Sequence, residues 1–109
     1  MWIDHSTTDY GQNVGFQKEL DAKKAILLEA PITGGMEALR KGQMTVYVAG
    51  DKPTFEAHKP ILDASYCTVL YLGGTGSAMI PKVISNMFTC INCIAMGETM
   101  MIGEQESLL

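Results

Sequence analysis

The sequence predicts one α/β domain in which short apolar strands alternate with helices. Three segments are rich in branched and aromatic residues and have the composition of strands: 25–29, 44–49 and 67–72. Segments with helix start and stop signals separate them. Because strands that alternate with helices form a parallel or mixed sheet, we expect an α/β fold. A chain of 109 residues suffices for one such domain or for part of a larger one.

The first predicted helix follows a polar turn. Residues 1–3 end a strand, and Asp4-His5-Ser6-Thr7 then turn the chain. Thr8 or Asp9 is a suitable N-cap for a helix over residues 10–24, because a short polar side chain accepts a hydrogen bond from the amides of the first turn.

A glycine turn is predicted after the second strand. Pro31 ends the strand 25–29 because it lacks a backbone donor. Thr33-Gly34-Gly35 then form a tight turn in which the backbone can approach a ligand closely. Residues 36–41 form a short helix, and Gly42 stops it.

The second half of the chain repeats the order of strand, turn and helix. Gly50 and Asp51 turn the chain, and Pro53 lies in the first turn of a helix that runs through residue 65. Three of its apolar side chains are expected to point inward: Phe55, Ile61 and Leu62. The strand 67–72 and two glycines then lead into the last helix.

The last helix, predicted from residue 76, is mostly apolar with one polar stripe. At 100° per residue the stripe contains Lys82, Ser85, Asn86 and Thr89, and Asn92 and Cys93 extend it. The opposite face is apolar and contains Ile80, Val83, Ile84, Met87, Phe88, Ile91, Ile94 and Ala95. A stripe with one charge differs from a solvated face, so we expect this helix to be buried except along the stripe.

Two interpretations of the stripe remain open. In the first, a core helix lets Lys82 reach the surface while Asn86 and Thr89 bond to neighbouring backbone. In the second, the stripe is a site in which the lysine donates or accepts a proton and the asparagine amide donates to a bound oxygen. The amides of residues 74–77 at the start of the helix would favour a carboxylate or phosphate.

Composition and charge argue against disorder and against a nucleic-acid partner. The hydrophobic fraction of 47% and the charged fraction of 18% are typical of a chain that can build a core. The net charge is −4, and basic residues occur only in short pairs such as Lys23-Lys24 and Arg40-Lys41.

The cysteines and the apolar C-terminal run predict neither a metal site nor a membrane span. Three cysteines without a secretory leader indicate a reduced, cytoplasmic setting. Cys90 and Cys93 are expected to be small buried helix residues, since no second C-x-x-C pair exists. Asn86, Asn92 and Glu98 lie within the apolar run, which favours a core helix over a transmembrane helix.

Three blocks of the sequence resemble the β-hydroxyacid dehydrogenase family. Asp4-His5-Ser6-Thr7 is similar to the family's D-x-S-T turn, and residues 30–35 are similar to its A-P-V-S-G-G loop. Residues 76–86 resemble its G-x-G-x-x-x-K-x-x-N-N segment, and residues 42–50 resemble the strand between these blocks. The blocks follow the family's order and cover nearly the whole chain.

The resemblance implies a role for each block. It makes Lys82 the catalytic lysine. It implies that Ser6 and Thr7 contact the nicotinamide end of a cofactor, NAD or NADP. The substrate-binding residues that it implies are Thr33, Gly34, Gly35 and Asn86.

Four residues differ from the family pattern. Thr33 replaces a serine and keeps the hydroxyl with a more restricted rotamer. Ala78 replaces a glycine, and Ser85 replaces the first asparagine of a pair. Pro81 precedes the lysine in the first turns of the helix, where the missing N–H costs less than in the interior.

The resemblance also implies a Rossmann-type NAD(P)-binding domain. Residues 1–75 correspond to the C-terminal part of that domain, without its G-x-G-x-x-G motif. Residues 76–109 correspond to the start of a long interdomain helix that leads to an all-helical domain. The chain is therefore expected to be an internal fragment whose parent is a homo-oligomer.

The implied function is hydride transfer between NAD(P) and the CH–OH group of a small 3-hydroxy acid, with a lysine as acid and base. The isolated chain is expected to be inactive, and no metal, nucleic-acid or membrane partner is expected. The alternative is a non-catalytic α/β fragment or interaction module with an exposed apolar helix. It is favoured by the lack of a phosphate-binding glycine motif upstream of Thr7.

Overall fold

The structure, a computed structural model, describes residues 1–106, in which strands and helices alternate around one mixed sheet. The elements are β1 (Trp2–Asp4), α1 (Tyr10–Ala22), β2 (Leu27–Glu29), β3 (Ile32–Thr33), α2 (Gly35–Arg40), β4 (Thr45–Gly50), α3 (Lys52–Ser65), β5 (Thr68–Tyr71) and α4 (Met79–Gln105). The predicted α/β class is confirmed.

Strand β4 lies at the centre of the sheet. It runs antiparallel to β2 and β3 on one side and parallel to β5 on the other. β2 and β3 are two parts of one path, interrupted at Ala30-Pro31, and β1 pairs with β2 in parallel register. Thr33 therefore lies beside Thr45, and Glu29 lies between Asp4 and Ala49.

Helices α1 and α3 each begin with a side-chain N-cap. Asp9 accepts a hydrogen bond from the Gln12 amide at 2.9 Å, which confirms the predicted N-cap of α1. Asp51 accepts bonds from the hydroxyl and the amide of Thr54. These two bonds hold the pKa of Asp51 below its ordinary value, because they stabilise the carboxylate.

The core lies between the sheet and α3. It contains Leu28, Ala30, Val46, Val48, Phe55 and Leu62. Phe55 stacks on Tyr71 with ring centroids 4.8 Å apart. Ile61 was predicted to point inward, but 62% of it is exposed. Phe55 and Leu62 are seven residues apart and share a face after two turns, whereas residue 61 is rotated away from that face.

Helix α4 departs most from expectation. Its apolar face was predicted to be buried, yet Met79 is its only buried residue among the described ones. The exposed side chains on α4 include Ile80, Val83, Ile84, Met87, Phe88, Ile91 and Ile94. A helix of 27 residues is about 40 Å long, and strands of at most six residues cannot cover that length.

Two further expectations about α4 are wrong. Cys90 and Cys93 are exposed rather than buried. The helix begins at Met79 rather than at Gly76, because Gly76 has a φ of 94°, which lies outside the helical region. By length and composition alone, α4 could cross a bilayer.

The glycines of β4 and α1 allow a matched test of the fold. Gly50 has a φ of 132°, and an added Cβ would lie 2.7 Å from the Leu27 carbonyl oxygen. Gly50→Ala is expected to lower the free energy of unfolding by about 1–3 kcal/mol or more. Gly15→Ala in α1 has nothing within 4 Å and is expected to raise it by about 0.5–1 kcal/mol. Urea unfolding measures both, and equal effects would contradict this account.

Candidate functional site

A cleft of about 660 Å³ separates the β3–α2 turn from α4. Its lining residues are Ile32, Thr33, Gly34, Gly35, Met44, Lys82, Asn86, Thr89 and Cys90. The structure therefore brings the predicted catalytic lysine together with all four predicted substrate-binding residues. Their roles stay predictions at this point.

The wall formed by the β3–α2 turn depends on glycine. Gly34 has a φ of 138°, and an added Cβ would lie 2.8 Å from Ala38 Cβ and 2.9 Å from Met44 Sδ. Gly35 has a φ of 70° and open space around it. Because neither residue has a side chain, backbone groups line this part of the cleft.

The opposite wall is the polar stripe of α4. Lys82, Asn86, Thr89 and Cys90 lie at i, i+4, i+7 and i+8, so they share one face of the helix. The Thr89 hydroxyl donates to the Ser85 carbonyl at 2.9 Å, as the core-helix interpretation expected. Within residues 1–106, Asn86 forms no side-chain hydrogen bond and the half-buried Lys82 forms no salt bridge.

Pro81 does not disturb this wall. It is the third residue of α4, where the backbone N–H has no partner within the helix. Lys82 consequently reaches the cleft from a regular helix.

The structure places Ser6 and Thr7 outside the cleft lining, on the loop after β1. The Ser6 hydroxyl donates to Asp4 Oδ1 at 2.7 Å, and His5 Nδ1 donates to the Ala30 carbonyl at 2.7 Å. The second bond ties this loop to the segment that leads into the glycine turn. Thr7 is exposed, and its hydroxyl has no hydrogen-bond partner in the described chain.

Sequence reasoning missed a buried carboxylate, Glu29, at the end of β2. Glu29 is fully buried, and its Oε1 accepts a hydrogen bond from the Gly76 amide. Its Oε2 and the nearby Asn13 Nδ2 are buried without a hydrogen bond in the described residues. The amide of residue 76, which was expected to be free for a ligand, is therefore used by the protein itself.

Burial raises the pKa of Glu29, because removal from water disfavours the charged form. The hydrogen bond from the Gly76 amide offsets part of the rise, and so do the nearby polar groups of Asn13 and Ala78, whereas the charge of Asp4 adds to the rise. The available sequence signal was a carboxylate directly after two leucines in a strand. Cys90 also had a signal, since it lies eight residues after Lys82 on the same face.

Comparisons with known proteins agree with this fold. The family model of the NAD-binding domain of 6-phosphogluconate dehydrogenase matches residues 1–73. Mitochondrial 3-hydroxyisobutyrate dehydrogenase of Rattus norvegicus is 34% identical over 108 residues, which are 99% of this chain and 32% of the rat protein. The chain thus spans about a third of the length of the curated relatives that it matches.

Solved structures show the same fold. 3-Hydroxyisobutyrate dehydrogenase from Salmonella typhimurium is 25% identical, has a TM-score of 0.87, and is matched over 97% of this chain and 38% of its own. An imine reductase from Myxococcus stipitatus in complex with NADP⁺ has a TM-score of 0.88 over 97% of this chain and 37% of its own. At 11% identity, the second likeness shows the fold alone.

These findings define the class as Rossmann-type NAD(P)-binding domains of dehydrogenases. The chain belongs to the β-hydroxyacid dehydrogenase family. The predicted family, fold class and cofactor class, NAD or NADP, are confirmed.

The raised pKa of Glu29 predicts how stability depends on pH. A carboxyl group whose pKa is higher in the folded chain contributes most below its ordinary value of 4.5, and this contribution declines as pH rises through the folded pKa. Glu29→Gln removes the ionisation, so the free energy of unfolding of the variant should rise relative to wild type across that window.

Urea unfolding of both chains between about pH 4 and 8 measures this difference. Glu19→Gln, at an exposed position of α1, is the control and should show no such trend. A difference for Glu29→Gln that stays flat or falls with pH would contradict the argument.

Proposed function

We propose that the protein containing this chain is an NAD(P)-dependent oxidoreductase that acts on the CH–OH group of a small 3-hydroxy acid. The observation that supports this most is the cleft, in which Lys82 and Asn86 face Thr33, Gly34 and Gly35. The chain has this cleft and is 34% identical to a 3-hydroxyisobutyrate dehydrogenase over nearly its whole length. Because it spans a third of that relative, activity is proposed for the complete protein.

The two walls of the cleft suit a hydroxy acid. The turn offers backbone groups and the Thr33 hydroxyl, and α4 offers the Asn86 amide, so donors are available for a carboxylate on both sides. Lys82 Nζ is the group that accepts the proton of the substrate hydroxyl during oxidation and returns it during reduction. Holding the acid on both walls places its hydroxyl at the lysine, which is the positional contribution to catalysis.

The residues of the β1–α1 loop fit the nicotinamide end of the cofactor. The carboxyl ends of the parallel strands β1 and β2 lie side by side, and ligands of open α/β sheets bind at such an edge. Ser6 and Thr7 lie there, and Thr7 has an exposed hydroxyl. When bound, the nicotinamide ring supplies the acceptor for the hydride that leaves the substrate carbon.

We further propose that residues 1–75 are the C-terminal part of the cofactor domain and that the segment 76–109, of which residues 107–109 lie outside the described residues, begins an interdomain helix. The family model ends at residue 73, which supports this boundary. The same proposal includes a homo-oligomeric complete protein in the cytoplasm, without nucleic-acid or membrane partners. The rat relative, in contrast, is named as a mitochondrial protein.

The exposed apolar face of α4 favours a second candidate, a non-catalytic interaction module. Turnover distinguishes the two. The complete protein should oxidise a 3-hydroxy acid with NAD or NADP, whereas the isolated chain should not. Turnover by the isolated chain would contradict the expectation that this chain is inactive by itself.

Lys82→Met is expected to lower kcat of the complete protein by about 10²–10⁴-fold, because it removes the proton acceptor. Methionine has a similar length, so the helix is retained. Steady-state kinetics and cofactor titration test this, with cofactor affinity expected to stay unchanged. Lys18→Met, at an exposed position of α1, is the control. Wild-type turnover in Lys82→Met would remove the lysine from the proposal.

Asn86→Leu is expected to lower kcat/KM for the hydroxy acid by about 10–100-fold, because one donor to the bound substrate is lost. The KM for the cofactor should not change, since Asn86 lines the proposed substrate cleft, whereas the proposed cofactor residues Ser6 and Thr7 do not. Asn92→Leu, which also lies on an exposed part of α4, is the matched control. Equal losses in both variants would show that Asn86 has no specific role.

A further inference from the structure

We propose that Glu29 is a positioning residue that sets the place of Lys82 opposite the glycine turn. It acts through the hydrogen bond that its carboxylate accepts from the Gly76 amide, in the turn that leads into α4. The catalytic consequence rests on the function proposed above, whereas the effect on the position of α4 does not.

The first argument is the course of the two segments. The strand path runs from Glu29 through β3 to Thr33, and α4 begins beside Glu29 and reaches residues 32–35 with Lys82 and Asn86. Both segments therefore run in the same direction along the sheet. Because a helix is rigid over such a distance, a shift of its first turn moves Lys82 by a similar amount.

The second argument is that little else holds α4 to the domain. In the described part of α4, Met79 is the only buried residue. Ala78 and Gly76, in the turn before the helix, are also buried. The rest of the helix is half-buried or exposed. The first turn and its approach therefore determine the position of the whole helix.

The third argument is the confinement of the turn itself. The amide of Gly76 faces Glu29, and an added Cβ at Gly76 would overlap the ring of Tyr10. A carboxylate from β2 and an aromatic ring from α1 thus enclose the turn. Glu29 and Gly76 are 47 residues apart, so this contact is tertiary and no property of the helix supplies it.

The fourth argument is that Glu29 has no other evident use. It does not line the cleft, and it is fully buried. A buried carboxylate costs folding free energy unless it is well paired, yet one of its oxygens has no hydrogen bond in the described residues. An apolar residue there would avoid that cost, so stability alone does not account for the glutamate.

A cross-linking experiment tests the position of α4 without any need for activity. Cys90 and Thr33 line the same cleft, so Thr33→Cys gives a thiol pair there. In the complete protein this pair is isolated by changing Cys67, Cys93 and every cysteine outside this chain to serine. A short bismaleimide should join the pair. Glu29→Met, which cannot accept the bond, should lower the cross-linking rate by about tenfold or more. Glu29→Gln should keep a rate close to that of the parent.

The kinetic arm uses the same substitutions in the protein with its native cysteines. Glu29→Met should lower kcat by about 10–100-fold, the scale of a displacement near 1 Å, with the cofactor KM unchanged. Glu29→Gln should restore most of kcat, and Glu19→Met on the surface of α1 should have no effect. A purely structural loss would lower only the amount of folded enzyme and would also leave KM unchanged. For this reason kcat is expressed per mole of folded protein, measured by circular dichroism, and a purely structural loss would then give the wild-type kcat.

Several results would overturn the proposal. One is a Glu29→Met variant whose cross-linking rate and kcat equal those of the parent protein. Another is a loss of cross-linking rate and kcat that is equally large in Glu29→Gln and Glu29→Met. If Glu29→Met does not fold, amide hydrogen exchange in the unaltered protein decides, and exchange at Gly76 as fast as at the exposed Gly74 would reject the contact. If the unaltered protein does not oxidise hydroxy acids, the proposed function fails, while the cross-linking result still judges Glu29.

Discussion

The hydrogen bond between the Glu29 carboxylate and the Gly76 amide is the contact on which the geometry of the cleft depends most. It joins strand β2 to the turn that leads into the longest helix. Its acceptor is fully buried, where a hydrogen bond to a charged group is strong and its loss is costly. A cleft between a strand and a single helix needs such a contact, because the rest of that helix has few buried residues.

Helix α4 has two different faces with different consequences. Its polar stripe forms one wall of the cleft and contains Lys82 and Asn86. Its apolar face is exposed along most of its length, with Phe88 as the most exposed large apolar residue. Large apolar surfaces of this kind are typical of regions that contact other protein segments. The helix thus contributes polar groups on one side and surface for packing on the other.

Local signals in the sequence predicted most of the fold. The Asp9 cap, the glycine turn at 33–35 and the polar stripe all depend on interactions between residues close in sequence, so they can be inferred without a structure. The predictions for Ile61 and Cys90 were wrong because burial depends on what packs against a helix face. Periodicity shows which residues share a face and does not show what covers it.

The sequence by itself determined the α/β class, the family and most of the polar residues that line the cleft. Those features depend on residue type and spacing, which are properties of the chain. Tertiary structure alone decided that Ser6 and Thr7 lie outside the cleft lining and that Glu29 meets Gly76. Glu29 and Gly76 are 47 residues apart, and no local pattern specifies a contact over that separation, because it forms only when the sheet and the helix pack together.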